Sequence, residues 1–87
     1  MKKTEGYVIR RLEDEYVILP TGKRAEEINE VISLSETAAF IYLHAEEVSS
    51  IPELARLVAG EYGMEATEVL EDVKTVVETL QKKGVLS

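Results

Sequence analysis

The stretch Val31-Ile32-Ser33-Leu34 runs without a loop into Ser35-Glu36-Thr37-Ala38-Ala39-Phe40-Ile41-Tyr42-Leu43. Its first half suits a short, half-buried strand, because branched side chains are stiff and pack well on a pleated surface. Ser35 has the chemistry of a helix N-cap, since its hydroxyl can accept a free backbone N–H of the first turn. Glu36 sets a negative charge at the positive end of the helix dipole. Ser33 and Glu36 also have capping-box spacing, which leaves open a start two residues earlier. Ala38 to Leu43 is a run of six apolar residues, and a helix apolar on more than one side is buried on more than one side. The chain reads as sheet before this junction and as helix after it.

Tyr7-Val8-Ile9-Arg10-Arg11-Leu12 reads as a first strand and Glu15-Tyr16-Val17-Ile18-Leu19-Pro20 as a second. Only Glu13-Asp14 lies between them, so a tight hairpin is expected, or a longer turn. In the tight version Asp14 is the candidate for positive φ, which Asp tolerates. Pro20 cannot donate to a ladder and should end the second strand. Thr21 to Arg24 is expected as a loop, and Ala25 to Glu30 as an irregular connection, leading into the third strand of an antiparallel meander.

After the first helix, Glu46 to Ser49 is expected as a short loop. Ser50-Ile51-Pro52-Glu53 opens a second helix with a capping box and a proline in the first turn. Ile51, Leu54, Ala55, Val58 and Tyr62 share one face, and Gly63 is the better stop. A third helix starts at Thr67 or just before, at Glu65. Val69, Leu70, Val73, Val76, Val77 and Leu80 recur along it at spacings of three and four. Gly84 ends it, and Val85-Leu86 is expected to fold back on the core. The reading is an α+β fold: a three-stranded antiparallel sheet followed by three helices, in one domain over residues 1–87.

Composition narrows the function. The chain is 45% hydrophobic and 31% charged, which is the globular range. It has no cysteine, so disulfides, thiolate zinc sites and thiol chemistry are excluded. His44 is the only histidine, so neither a catalytic triad nor a histidine metal site can be assembled. Carboxylate pairs such as Glu46-Glu47 and Glu71-Asp72 read as solvated faces. No apolar run approaches the roughly 18 residues of a membrane span, and the basic start leads into no signal peptide, so a cytoplasmic protein is expected. Residues 1–24 hold six Lys or Arg against four acids, and residues 25–87 hold four against thirteen. A helical half this acidic argues against nucleic acid, whose binding rests on neutralised phosphates.

The order strand-turn-strand-Pro20-Thr21-Gly22, then Val31 to Tyr42 as quoted above, resembles the PqqD family. So do Ile51-Pro52-Glu53-Leu54-Ala55, Glu61-Tyr62-Gly63, Glu71-Asp72-Val73 and the ending Leu80 to Leu86. The resemblance spans Tyr7 to Leu86. The family usually has Asn where this chain has Ser35, and both residues cap helices well. It also usually has Trp near Tyr42, an aromatic for an aromatic. The resemblance implies a winged helix-turn-helix-like arrangement without catalytic activity or cofactor. It implies a peptide chaperone in the making of ribosomally synthesised, modified peptides, the route to pyrroloquinoline quinone among them. Such a module binds the leader of a precursor peptide and presents it to a modifying enzyme, often a radical S-adenosylmethionine enzyme. The leader is implied to lie along the third strand, against the third helix.

The physics of an open edge points the same way. A terminal strand of a meander leaves one row of N–H and C=O groups unpaired, ready for an incoming strand. Val31, Ile32, Ser33 and Leu34 are the candidates for those main-chain bonds. Val69, Leu70, Val73, Lys74 and Val77 are the candidates for the groove wall; Val69 and Val73, like Leu80, read first as core, and the two roles balance at Leu70, Lys74 and Val77. Asp72 either pairs with Arg10, Arg11 or Arg56 or orients a peptide. The same edge would also allow self-pairing into a homodimer. The alternative is a small winged-helix DNA-binding regulator, suggested by the helix-turn-helix order over residues 51–83. A recognition helix needs basic residues near its start, and this one begins with Glu65, Glu68, Glu71 and Asp72. Gel-shift assays on duplex DNA at low salt should therefore show no retarded band, and clear retardation would revive the regulator.

Overall fold

The computed structural model describes residues 1–27 and 30–87. Tyr7–Leu12 (β1) and Glu15–Pro20 (β2) pair antiparallel, with Leu12 opposite Glu15 and Tyr7 opposite Pro20. The turn is the tight two-residue one, but positive φ falls on Glu13 (57°) and not on Asp14. The primed hairpin turns, which match the strand twist, demand positive φ at their first central residue. Arg11 Nε donates to the Glu13 carbonyl at 3.2 Å and helps hold that conformation. Pro20 ends β2 as expected, and the Thr21 N–H then donates to the Gly6 carbonyl at 2.8 Å. Gly6 itself has φ +90°, and a Cβ there would lie 2.8 Å from Arg24 Nε. That glycine lets the Arg24 guanidinium reach over the Tyr7 ring, 5.2 Å from its centroid.

Thr21 to Glu27 departs from the expected loop and irregular connection. Gly22–Glu27 is a short helix, α1. The Thr21 carbonyl accepts from the N–H groups of Arg24 and Ala25 at 3.1 and 3.3 Å, which starts the turn. Lys23 to Glu27 are all good helix formers with no breaker among them. Because α1 buries no residue, it leaves no apolar periodicity in the sequence. Of the expected irregular connection, Ile28 and Asn29 lie outside the described residues.

Ile32–Leu34 forms β3, antiparallel to β2, with Ile18 opposite Ile32 and Tyr16 opposite Leu34. The sheet order is β1-β2-β3. Ser35 caps the helix Glu36–His44 (α2), its Oγ accepting from the Ala38 N–H at 3.1 Å. The apolar run is buried on several sides, through Ala38, Ala39, Ile41 and Tyr42. Burial, and then the charge of Glu46, pushes the Tyr42 phenol above its ordinary value. A 3-10 turn, Ala45–Glu47, overlaps the expected loop. The helix Ile51–Tyr62 (α3) is capped by Ser50 and stopped by Gly63 at φ 66°. The helix Ala66–Lys82 (α4) starts from Glu65, whose N–H donates to Glu68 Oε1 at 3.1 Å. Among the described residues the sheet is thus accompanied by four α-helices when α1 is counted, the last three being those expected from the sequence.

One contiguous core joins Ile18 and Ile32 of the sheet to Ile41, Tyr42, Leu54, Val58, Val69, Val73, Val77 and Leu80 of the helices. Val85 and Leu86 close it from the C-terminus, both almost fully buried. They are held there by a partner the sequence does not reveal. Lys3 bridges Leu86, with Lys2 and Ser87 exchanging backbone hydrogen bonds of 3.0 and 2.8 Å.

The two hydroxyls ahead of α3 act on one carboxylate. Ser49 donates to Glu53 Oε1 at 2.9 Å and Ser50 at 3.2 Å. The Ser49 bond is the main cause that holds the Glu53 carboxyl below its ordinary value. A carboxyl depressed in the folded state stabilises at neutral pH, and that contribution fades as pH falls through the folded value. Ser49→Ala should move the Glu53 titration back toward the ordinary range, as read by carboxyl NMR. The core makes a second claim. Leu54→Ala, at a fully buried site, should cost about 3 kcal/mol in denaturant unfolding. Leu12→Ala, on the exposed hairpin tip, should change stability by less than about 0.5 kcal/mol.

Candidate peptide-binding groove

Among the described residues, β3 has a strand neighbour on one side only, because β2 lies between it and β1. Its other side faces α4 across a groove of about 190 Å³. One wall is Ile32, Ser33, Leu34, Ser35 and Ala38, and the other is Thr75, Val76, Thr79, Leu80 and Lys83. Ile32, Ala38 and Leu80 are buried and form an apolar floor. The rim is polar: Ser33, Ser35, Thr75, Thr79 and Lys83 are all exposed. Thr79 Oγ1 donates back to the Thr75 carbonyl at 2.9 Å. At the C-terminal end of α4, Lys83 Nζ donates to Glu30 Oε1 at 3.1 Å. That pair ties the helix to the chain entering β3 and lies across the end of the groove.

The local chemistry explains why the groove exists. The Ser35 cap makes α2 begin where β3 stops, and among the described residues no strand follows along the outer edge. Residues 75, 76, 79, 80 and 83 recur at spacings that stack them on one side of α4. From Thr75 onward that side carries no charge until Lys83, whereas Glu68, Glu71, Lys74 and Glu78 occupy the solvent-facing positions.

The candidate residues divide between groove, core and open surface. Ile32, Ser33 and Leu34 line the groove. Val31 stands outside the ladder and is 52% exposed, since only Tyr16, Val17 and Ile18 of β2 pair with β3. The helical wall is not the one expected. Val69, Val73 and Val77 point into the core, each no more than 5% exposed. Leu70 lines a separate depression with Pro52, Ala55, Arg56, Ala66 and Thr67. Lys74 and Asp72 are exposed. Among the described residues Asp72 forms no ion pair with Arg10, Arg11 or Arg56; the Lys–carboxylate pair there is Lys83–Glu30, and His44 contacts Glu47. The physical reason is rotation. The valine stripe is wide enough to face the core along one line, and its flank at Val76 meets the sheet edge. The missed wall residues had a signal: Thr75, Val76 and Thr79 interrupt an otherwise charged surface.

No group of three or more His, Asp or Glu side chains among the described residues could hold a metal ion. Among the same residues, no helix is long and apolar enough to cross a membrane. No curated protein matches the chain. A solved structure, "TbiB1 in Complex with the TbiA(beta) Leader Peptide", is similar in fold, with a TM-score of 0.74 at 22% sequence identity. The match covers 100% of this chain and 95% of that one. The family model described as "Coenzyme PQQ synthesis protein D (PqqD)" matches residues 6–86. With nearly its whole length matched, β1 through the buried C-terminal tail, the chain belongs to the PqqD family.

Proposed function

We propose that this chain, as a single module over residues 1–87, binds the leader of a ribosomally synthesised precursor peptide and presents it to a modifying enzyme. The observation that carries the proposal is the unpaired edge of β3 beside an apolar groove. An extended peptide entering there satisfies the open main-chain groups and sets alternate side chains into the groove. Membership of the PqqD family supports this reading. The fold-mate TbiB1, named in complex with a leader peptide, supports it as well. The module acts by binding and carries no catalytic group or cofactor of its own. Its modifying enzyme is a radical S-adenosylmethionine maturase or a comparable tailoring enzyme, and the setting is cytoplasmic.

The binding residues on this reading are Ile32, Ser33 and Leu34 with Thr75, Val76, Thr79, Leu80 and Lys83. Val69, Val73 and Val77 act from behind by fixing the rotation of α4. A segment longer than the groove passes Val31 at one end and Asp72 at the other, because Asp72 precedes Thr75 and Val76 on the same helical side. A second copy of the chain could occupy the same edge as a homodimer, in competition with the peptide.

The test uses isotope-labelled protein and the leader half of a short precursor peptide encoded beside its gene. Amide shifts should cluster on Val31 to Ser35 and on Thr75 to Lys83 at roughly micromolar concentrations. Val76→Glu, which sets a charge in the groove, should weaken binding about tenfold or more. Glu61→Gln, remote on α3, should leave it unchanged. Shifts scattered elsewhere, or equal affinity for Val76→Glu, would overturn the proposal.

A further inference from the structure

We infer that the groove selects a segment bearing a carboxylate, and that Lys83 exchanges Glu30 for that carboxylate when the segment docks. The inference rests on the strand-addition reading and deepens it. Lys83 is the one charged side chain among the described residues lining the groove. Its present partner, Glu30, belongs to the chain just ahead of β3, so the pair spans the groove's end from one wall to the other. Both side chains are well exposed, at 41% and 59%. An ion pair so exposed is weak and easily broken.

A docked segment changes the balance. It removes water from the groove, and an ammonium deprived of water needs a counter-charge. Glu30 can supply it only by staying folded across the place where the segment must pass. A carboxylate on the segment supplies it without that obstruction, in a drier setting where charges attract more strongly. The chain's overall charge of −7 opposes acidic partners at long range. Preference for an acid therefore comes from this one contact and has a fixed location.

That location is set by the fold. The entry to β3 meets the C-terminal end of α4, through Glu30 and Lys83. The carboxylate therefore falls at the Ile32 end of the groove. The opposite end approaches Asp72, which repels an acid.

Short peptides selected from a displayed random library on the wild-type protein, and mapped to β3 by amide shifts, provide the probe. Each is synthesised in a Glu and a Gln version at its acidic position. On wild type, the Glu version should bind roughly three- to tenfold more tightly than the Gln version. Lys83→Met should abolish that difference. Glu30→Gln should tighten the Glu version by about threefold more than it tightens the Gln version, because Lys83 is then free for the peptide's carboxylate. A purely structural Lys83–Glu30 clasp predicts instead that both substitutions shift affinity in the same direction. If the mapped peptides show no acid preference, or if Lys83→Met retains it, the inference is overturned and strand addition stands. If no selected peptide maps to β3, strand addition itself falls.

Discussion

The structure depends on the one-sided pairing of β3. Three residues pair with β2 on one flank, and the chain then leaves directly into α2 under the Ser35 cap. Without a loop, the strand and helix share a fixed geometry, and the packing of α2 is set by where Ile32 and Leu34 sit on the sheet. Ile32 and Ile41 are both in the main core, so the junction anchors sheet and helix into the same apolar mass. The α3–α4 pair then packs against α2, which brings the Val76 flank of α4 beside the outer edge of β3.

An exposed edge invites indiscriminate pairing, and this fold limits the hazard in several ways. The strand is three residues long, so the unpaired row spans only about 10 Å. Lys83 and Glu30 set charges at one end of it, and Asp72 lies toward the other. The net charge of −7 adds repulsion between copies. The opposite edge, β1, is managed differently: Arg10 and Arg11 are exposed along its outer half, and charged side chains blunt an edge. The groove side of the sheet is therefore the apolar edge, and the hairpin side is the charged one.

Much of this is legible in the sequence because single residues carry it. Ser35, Ser50 with Glu53, Gly63 and Gly84 each mark a helix boundary through backbone chemistry that operates within a few residues. Pro20 ends a strand for the same local reason. The features that escape are those decided by distant partners or by none. Helix α1 has no buried face, so nothing periodic announces it. Val31 has the propensity of a strand residue, but the ladder ends where β2 offers no further partner. Periodicity points to Val69, Leu70, Val73, Lys74 and Val77 as the binding wall because it identifies an apolar stripe without saying which flank meets the sheet. Only the packing of α4 against α2 and α3 fixes that rotation, turning Val73 inward and leaving Val76 half-buried beside β3. The Lys3–Leu86 pairing joins the two ends of the chain, a separation no local signal spans.

The dimensions of the groove also limit what strand addition at this edge can supply. Three edge residues offer few main-chain hydrogen bonds, each worth about 1 kcal/mol net of the water it replaces. Ordering an extended peptide costs a comparable amount per residue. Main-chain pairing alone therefore leaves little net affinity, and the remainder must come from side chains buried against Ile32, Ala38, Val76 and Leu80. At about 25 cal/mol per Å² of apolar surface removed from water, one or two large side chains supply a few kcal/mol. A site built this way separates its two tasks: backbone pairing sets the direction and register of the guest, and a small apolar groove decides whether it stays. Affinity of that size leaves the guest free to be released.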